Sequence, residues 1–197
     1  MARPARQGLD YFPLDVDFIN DRKFRNSKQK YGYLGVTVYI TLLGLIYKDK
    51  GYYIEYSEKT KNDVLWDIQT ALQGKFSPDI ETLGEVVDTL VADGLFSADH
   101  YRASVLTSPR IQRTYYSATV DRVGVNINKD IWMLSVAEMK ALSSKSFILR
   151  NFISRSKNEI NRTENTVNQP DNTQSKVKEK KVNKSITKLN QSLGKGD

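Results

Sequence analysis

The sequence predicts a mainly α protein with a small β-sheet: a winged helix-turn-helix, then an additional helix and a disordered basic tail. Three observations predict it. First, Tyr31 to Tyr47 (YGYLGVTVYITLLGLIY) holds no charged residue, and its apolar side chains fill more than one helical stripe, as in a helix that others pack against. Second, Ile80, Leu83, Val86, Val87, Leu90 and Val91 recur with the 3.6-residue period of an amphipathic helix. Third, Leu95-Phe96 and Val105-Leu106-Thr107 flank the polar stretch Ser97 to Ala103, the pattern of a β-hairpin.

The elements follow in order. Gly8 to Asp17 is an extended lead-in, because Pro13 disfavours helix at Phe12. Asp15 and Asp17 read as a helix start, with carboxylates near free N–H groups. Phe18 to Lys30 predicts a short helix with Phe18, Ile19 and Phe24 inward. The charge-free run predicts a helix over Tyr33–Tyr47; a membrane span would need about 20 apolar residues, and this run is interrupted by Gly35, Thr37, Thr41 and Gly44 and closed by Lys48, Asp49 and Lys50. Alternation in Gly51 to Tyr56 predicts a strand. Asn62 to Leu72 reads as a helix stopped near Gly74, and Ser77-Pro78 as the N-cap and first-turn proline of a helix running to Asp93, stopped by Gly94. Ser108-Pro109 repeats that signature and predicts a helix to about Arg122. Val123, Val125 and Ile127 alternate as a strand, and Ser135 with Glu138 forms a capping box that starts a helix through Leu142. Phe147 to Ile153 is an apolar patch to which the pattern assigns no element.

Domain organisation follows the change in composition: a winged-helix domain over 1–122 with its N-terminal arm and C-terminal helix, an extension over 123–153, and a tail over 154–197. The tail is rich in Asn, Thr, Gln, Ser and Lys with almost no aromatic residue, which is the composition of disorder. Its ten Lys/Arg against five Asp/Glu carry +5 of the chain's net +7. Such charge favours polyanionic partners.

Cysteine is absent and His100 is the single histidine, which removes disulfides, thiolate metal sites and histidine-based dyads from consideration. His100 lies in the hairpin tip and reads as an exposed loop residue. MARPARQGLDYFP has no apolar stretch of secretory type, so a cytoplasmic location and no membrane partner are expected. No G-x-x-x-x-G-K-[ST], G-x-S-x-G or H-E-x-x-H is present, and Gly194-Lys195-Gly196-Asp197 lacks both the preceding glycine and a following helix. The expectation is a protein that is not an enzyme and takes no cofactor and no metal.

GLDYFPLDVDF, DRK, YGYLGVTVYITLLGLIY, KGYYIEY, DGLF and VLTSPRIQRTYYSAT, in that order, resemble the Lin-type N-terminal domain of phage and prophage replication proteins. That family is related to the N-terminal domain of the replication-initiation protein DnaD and to phage replisome organisers. The resemblance covers about residues 8–122, and the QSKVKEKKV stretch is similar to lysine-rich repeats common after such domains. It implies a winged helix acting in replication initiation: binding DNA, forming homo-oligomers, and recruiting a helicase or helicase loader. It assigns no residue-level DNA contact.

The candidate contacts therefore come from charge alone. Arg22, Lys23, Arg25, Lys28 and Lys30 form the densest basic segment of the folded part. Arg110, Arg113 and Arg122 share a second surface, and Lys176, Lys178, Lys180, Lys181 and Lys184 lie in the tail. All are candidates for phosphate contacts to single- or double-stranded DNA. The helix that would enter a major groove in a typical winged helix carries Asp79, Glu81, Glu85, Asp88 and Asp93 and no Lys or Arg between Pro78 and Asp93. Phosphates repel such a face, so Asp79, Glu81, Glu85 and Asp88 are candidates for protein interaction, and a scaffold whose folded domain does not touch DNA is the alternative. Tyr115 and Tyr116, next to Arg113, are candidates for base stacking, against core packing as the default reading, for Tyr115 above all. Two carboxylates one turn apart, Glu81 and Glu85, have no third ligand nearby and read as a solvated face.

Overall fold

Helix α2 (Leu34–Lys48) is the hub, packed against α1 (Arg25–Tyr31), α3 (Lys61–Ala71) and α4 (Ile80–Ala92) in a computed structural model that describes residues 7–75 and 77–154. Val38, Leu42 and Ile46 of α2 are fully buried, as the near-uniform apolarity of this run demands. No helix among the described residues is long and apolar enough to cross a membrane. The two sheet strands, β1 (Ile54–Glu55) and β2 (Val105–Leu106), pair antiparallel, with Ile54 opposite Leu106 and Glu55 opposite Val105. The remaining helices are α5 (Ala98–Arg102), α6 (Pro109–Ala118), α7 (Val136–Leu142) and α8 (147–154).

Several local signals act where the sequence places them. Ser108 caps α6 by accepting the Ile111 N–H, with Pro109 in its first turn. Ser135 and Glu138 form the reciprocal capping box of α7, at 3.2 and 2.9 Å. Gly94, at φ +73°, follows the end of α4.

Other expectations are corrected. Phe18 to Lys30 is not one helix. It forms two 3-10 turns, Phe18–Asn20 and Arg22–Phe24, before α1, because Asp21 is extended (ψ 129°) and its carboxylate caps the Lys23 N–H. The Asp17 side chain makes no cap bond. The N-cap of α4 is Asp79, which accepts the Thr82 N–H at 2.7 Å; the Ser77 hydroxyl instead closes the preceding loop onto Gly74. The expected hairpin tip is helix α5, started by Ser97, which accepts the His100 N–H, so His100 lies on a short helix and not in a loop. Leu95 and Phe96 are buried without strand pairing, although the Ser97 N–H does bond the Thr107 carbonyl at 2.8 Å. Residues 123–127 form no strand. Neighbouring segments hold this stretch through side chains, with the Tyr52 hydroxyl accepting the Asn128 N–H at 2.8 Å.

The C-terminal part closes on the same core. Val125, Trp132, Leu134, Met139, Ile148 and Leu149 are buried with residues of α2 and α6. Gln112, fully buried on α6, donates to the Ile131 carbonyl at 2.9 Å and accepts the Met133 N–H at 2.6 Å. The Tyr116 hydroxyl donates to the Ser143 carbonyl at 2.8 Å.

Tyrosines dominate the seam between α2 and α6. Burial pushes the Tyr47 and Tyr115 hydroxyls up to about 12 each. A phenol raised above its unfolded value of about 10 contributes stability that is intact below that value and lost as pH rises toward its folded one. Alkaline titration is therefore expected to unfold the protein between about pH 10 and 12. Tyrosinate absorbance and loss of helical circular dichroism should rise together; Tyr47 and Tyr115 ionising near pH 10 with the helices intact would refute this.

Candidate nucleic-acid interface

The first basic segment lies against the acidic helix. Asp93 accepts from the Asn26 side chain at 2.8 Å and from the Ser27 N–H at 3.1 Å, which docks the N-terminus of α1 on the end of α4. One α-helical face further on, Glu85 accepts the Tyr31 hydroxyl at 2.9 Å and pairs with Lys30 at 3.4 Å. The Tyr31 hydroxyl and then Lys30 hold the Glu85 carboxyl below the usual range. Lys23 donates to the Gly94 carbonyl at 2.8 Å, and Lys28 to the Ile19 carbonyl. Arg22 and Arg25 are exposed and make no ion pair with any described residue. Of the five cations proposed for phosphate contact, Lys30 is ion-paired, and Lys23 and Lys28 keep their charge but are tethered to backbone carbonyls. Arg22 and Arg25 are held by neither kind of contact among the described residues.

The second surface is also internally compensated. Arg110 pairs with Asp15 and, at 3.6 Å, with Asp21, so Asp15 serves as an ion-pair partner rather than as a helix cap. Arg113 pairs with Glu138 at 3.1 Å. Arg122 lies past the end of α6, half-buried, and donates to the Gly8 carbonyl at 2.7 Å, tying down the N-terminal arm. Tyr115 and Tyr116 are both fully buried, which removes them as a stacking surface. Their helix turns Arg110 and Arg113 outward, and its opposite face carries Ile111, Gln112, Tyr115 and Tyr116 into the core.

Among the acidic candidates, Asp79 is spent on the N-cap, and the Thr82 N–H lowers its carboxyl below the ordinary range. Asp88 accepts the Tyr101 hydroxyl of α5. Glu81 and Glu85 remain exposed on the outer face of α4. Trp66, 64% exposed between Asp63 and Asp67 on neighbouring α3, has no precedent in the pattern-based reading. The apolar face of its helix runs through Val64, Leu65 and Ile68, all buried, and Trp66 lies off that face. Lys176, Lys178, Lys180, Lys181 and Lys184 lie outside the described residues. No group of three or more His, Cys, Asp or Glu that could hold a metal occurs among the described residues.

Comparison with known proteins places the chain. The family described as Lin1244/Lin1753-like, N-terminal, matches residues 11–111. The chain belongs to this family. A relative from Listeria innocua serovar 6a (strain ATCC BAA-680 / CLIP 11262), described as an uncharacterized phage-related protein Lin1244/Lin1753, is 34% identical over 119 residues, which is 60% of this chain and 36% of the relative. The chain thus spans about a third of that relative's length. No solved structure matches the chain significantly. The family match takes in α1 to α5, both strands and Arg110, whereas Arg113 and Arg122 lie beyond it.

Lys23, Arg110 and Arg113 converge where the two surfaces meet, around a pocket of about 350 Å³ floored by Tyr39 of α2. Sequence reasoning treated these cations as two separate patches, because Lys23 and Arg110 are far apart in the chain.

Proposed function

We propose that this chain is a phage or prophage DNA-replication initiation protein of replisome-organiser type, a non-enzymatic winged helix of DnaD-related kind that contacts DNA through phosphates. The observation that carries the reading is the element order: α2, β1, α3, α4, then a segment returning through β2 to pair with β1. That order supports a winged helix in which the expected hairpin is reduced to β2, with helix α5 standing in place of the wing's tip. Charge supports phosphate contact over base readout. The outer face of α4 carries Glu81 and Glu85, which a groove would repel, whereas Arg22, Arg25 and the lysines of 176–184 have charge to give. Homo-oligomerisation and capture of a helicase or helicase loader belong to the same proposal.

The second reading, a protein-interaction scaffold, is favoured by exposed Trp66 on α3, the helix that packs against α4, since tryptophans are enriched in binding hot spots. One experiment separates the two. Anisotropy of labelled single- and double-stranded DNA is measured across a salt series with the full chain. The comparison proteins are a variant with Lys176, Lys178, Lys180, Lys181 and Lys184 changed to Glu, and a Arg22→Glu/Arg25→Glu variant. The expected result is a tail variant weakened at least about 100-fold at low salt, with a markedly shallower salt slope. A several-fold loss in the Arg22/Arg25 variant is expected as well. Wild-type protein that binds neither DNA form at low salt overturns the DNA reading and leaves the scaffold.

A further inference from the structure

The pocket between the two basic surfaces has the makings of a ligand site that the DNA reading does not use. Its volume, about 350 Å³, falls within the range of about 300–1,000 Å³ usual for small-molecule sites. One side is basic, formed by Lys23, Arg110 and Arg113, and Asp21 is the single carboxylate of the lining. The other side is apolar, with Phe96 and Met133.

Tyr39 makes this more than a gap between charges. The residue is 3% exposed, its ring is held edge-on by Phe24 and Phe96 at 5.3 and 5.6 Å, and it lines the pocket. Its hydroxyl makes no hydrogen bond to any described residue, and it is not among the fully enclosed polar atoms left unsatisfied, Tyr56 Oη and Trp132 Nε1. A buried tyrosine usually spends its hydroxyl on a protein acceptor, as Tyr115 does on the Gln7 carbonyl and Tyr116 on the Ser143 carbonyl. Tyr39 offers its hydroxyl to the pocket instead. Burial raises its titration point, with the Arg110 charge opposing, so the group remains a donor at neutral pH. The pocket also meets the N-terminus of α6, where the Arg110 N–H lies in the first turn with no carbonyl a turn earlier to receive it.

We propose that this pocket binds a phosphomonoester with a flat apolar body, of nucleotide class, the Tyr39 hydroxyl and the Arg113 guanidinium donating to the phosphate. The lining brings three cations and one carboxylate together, with Asp15 and Glu138 pairing Arg110 and Arg113 from outside the lining. A phosphomonoester carrying about −1.5 to −2 would compete with those two carboxylates for the guanidiniums. Existing ion pairs do not block this. The Asp15 and Glu138 side chains that pair with Arg110 and Arg113 are 79% and 42% exposed. Such pairs are weak, and a guanidinium has donors to spare. An inorganic phosphate would leave most of the volume empty, which is why the ligand needs a body lying against Phe96 and Met133.

Calorimetric titration of the full chain with AMP, adenosine, inorganic phosphate, and 5′-phosphorylated and 5′-hydroxyl oligonucleotides tests it. AMP is expected to bind saturably with one-to-one stoichiometry, adenosine not at all, and inorganic phosphate more weakly than AMP. Tyr39→Phe is expected to weaken AMP about 10-fold while melting at the wild-type temperature, because the lost hydroxyl has no protein partner; Arg113→Gln is expected to weaken it further. If the 5′-phosphorylated oligonucleotide competes with AMP and the 5′-hydroxyl one does not, the natural phosphate is a DNA end; if neither competes, it is a free nucleotide. Retention of AMP binding by the tail-lysine variant separates this pocket from the DNA reading. Absence of saturable AMP binding, or a Tyr39→Phe variant that binds AMP as wild type does, overturns the proposal.

Discussion

Gln112→Leu is expected to lower stability by about 3 kcal/mol and the melting temperature by about 10 °C, although leucine matches the glutamine side chain in size. The amide makes three bonds from a fully buried position: to the Thr107 hydroxyl at 3.1 Å, to the Ile131 carbonyl at 2.9 Å, and from the Met133 N–H at 2.6 Å. Thr107 keeps its own bond to the Tyr52 carbonyl at 2.6 Å, so it loses least. Ile131 and Met133 lose the Gln112 anchor that ties them to α6, and each unpaired backbone group costs about 1–3 kcal/mol where water cannot replace the partner. Both residues are half-buried, which keeps the sum near the lower end. Gln112→Glu is the informative companion: it retains an acceptor for the Met133 N–H but aims an oxygen at the Ile131 carbonyl, and should be worse than leucine. Chemical denaturation checks both, and a leucine variant as stable as wild type would show that residues 131–133 do not depend on this clamp.

Gln112 also shows where sequence reading stops. A glutamine two positions after an arginine, on a helix whose pattern is only partly apolar, reads as surface; its partners lie 19 and 21 residues further on in a stretch without regular structure. What was legible was local. Ser108-Pro109, the Ser135/Glu138 box and Gly94 act through contacts within a turn, and the apolar periods of α2 and α4 report burial directly. Errors arose where two local signals competed. Ser77-Pro78 is a good helix start, yet Asp79, two residues later, supplies a charged acceptor and takes the cap. Ser97 with Asp99 outcompeted the hairpin reading of its own tip. The candidate site was least legible, because charge was counted by segment. Lys30 meets Glu85 across 55 residues and Arg110 meets Asp15 across 95, so patches that look basic or acidic in sequence cancel each other in space. The Tyr39 hydroxyl gave no signal at all: nothing in an apolar run distinguishes a tyrosine that lacks a partner.

Gly51→Ala is expected to be the more damaging substitution, at about 3–5 kcal/mol, since backbone strain and overpacking add. Gly51 ends the hub helix: its N–H returns to the Ile46 carbonyl at 2.8 Å, and its φ is +87°, which a side chain resists. A Cβ there would also sit 2.1 Å from Cε2 and 2.5 Å from Cδ2 of Tyr115. The ring cannot step aside. It is fully buried, its centroid lies 5.3 Å from that of Tyr52, and its hydroxyl donates to the Gln7 carbonyl at 2.9 Å. Any shift would therefore pass to β1 through Tyr52 and to the N-terminal arm through Gln7. Tyr115→Leu in the Gly51→Ala background distinguishes the two causes. If the clash dominates, trimming the ring should recover part of the loss relative to the sum of the single substitutions. If the positive φ dominates, the two losses should add. Should Gly51→Ala alone melt within 2 °C, approximately, of wild type, the close approach of Tyr115 to the end of α2 would be refuted. The seam that joins α2, α6 and the sheet would then have to be tighter elsewhere.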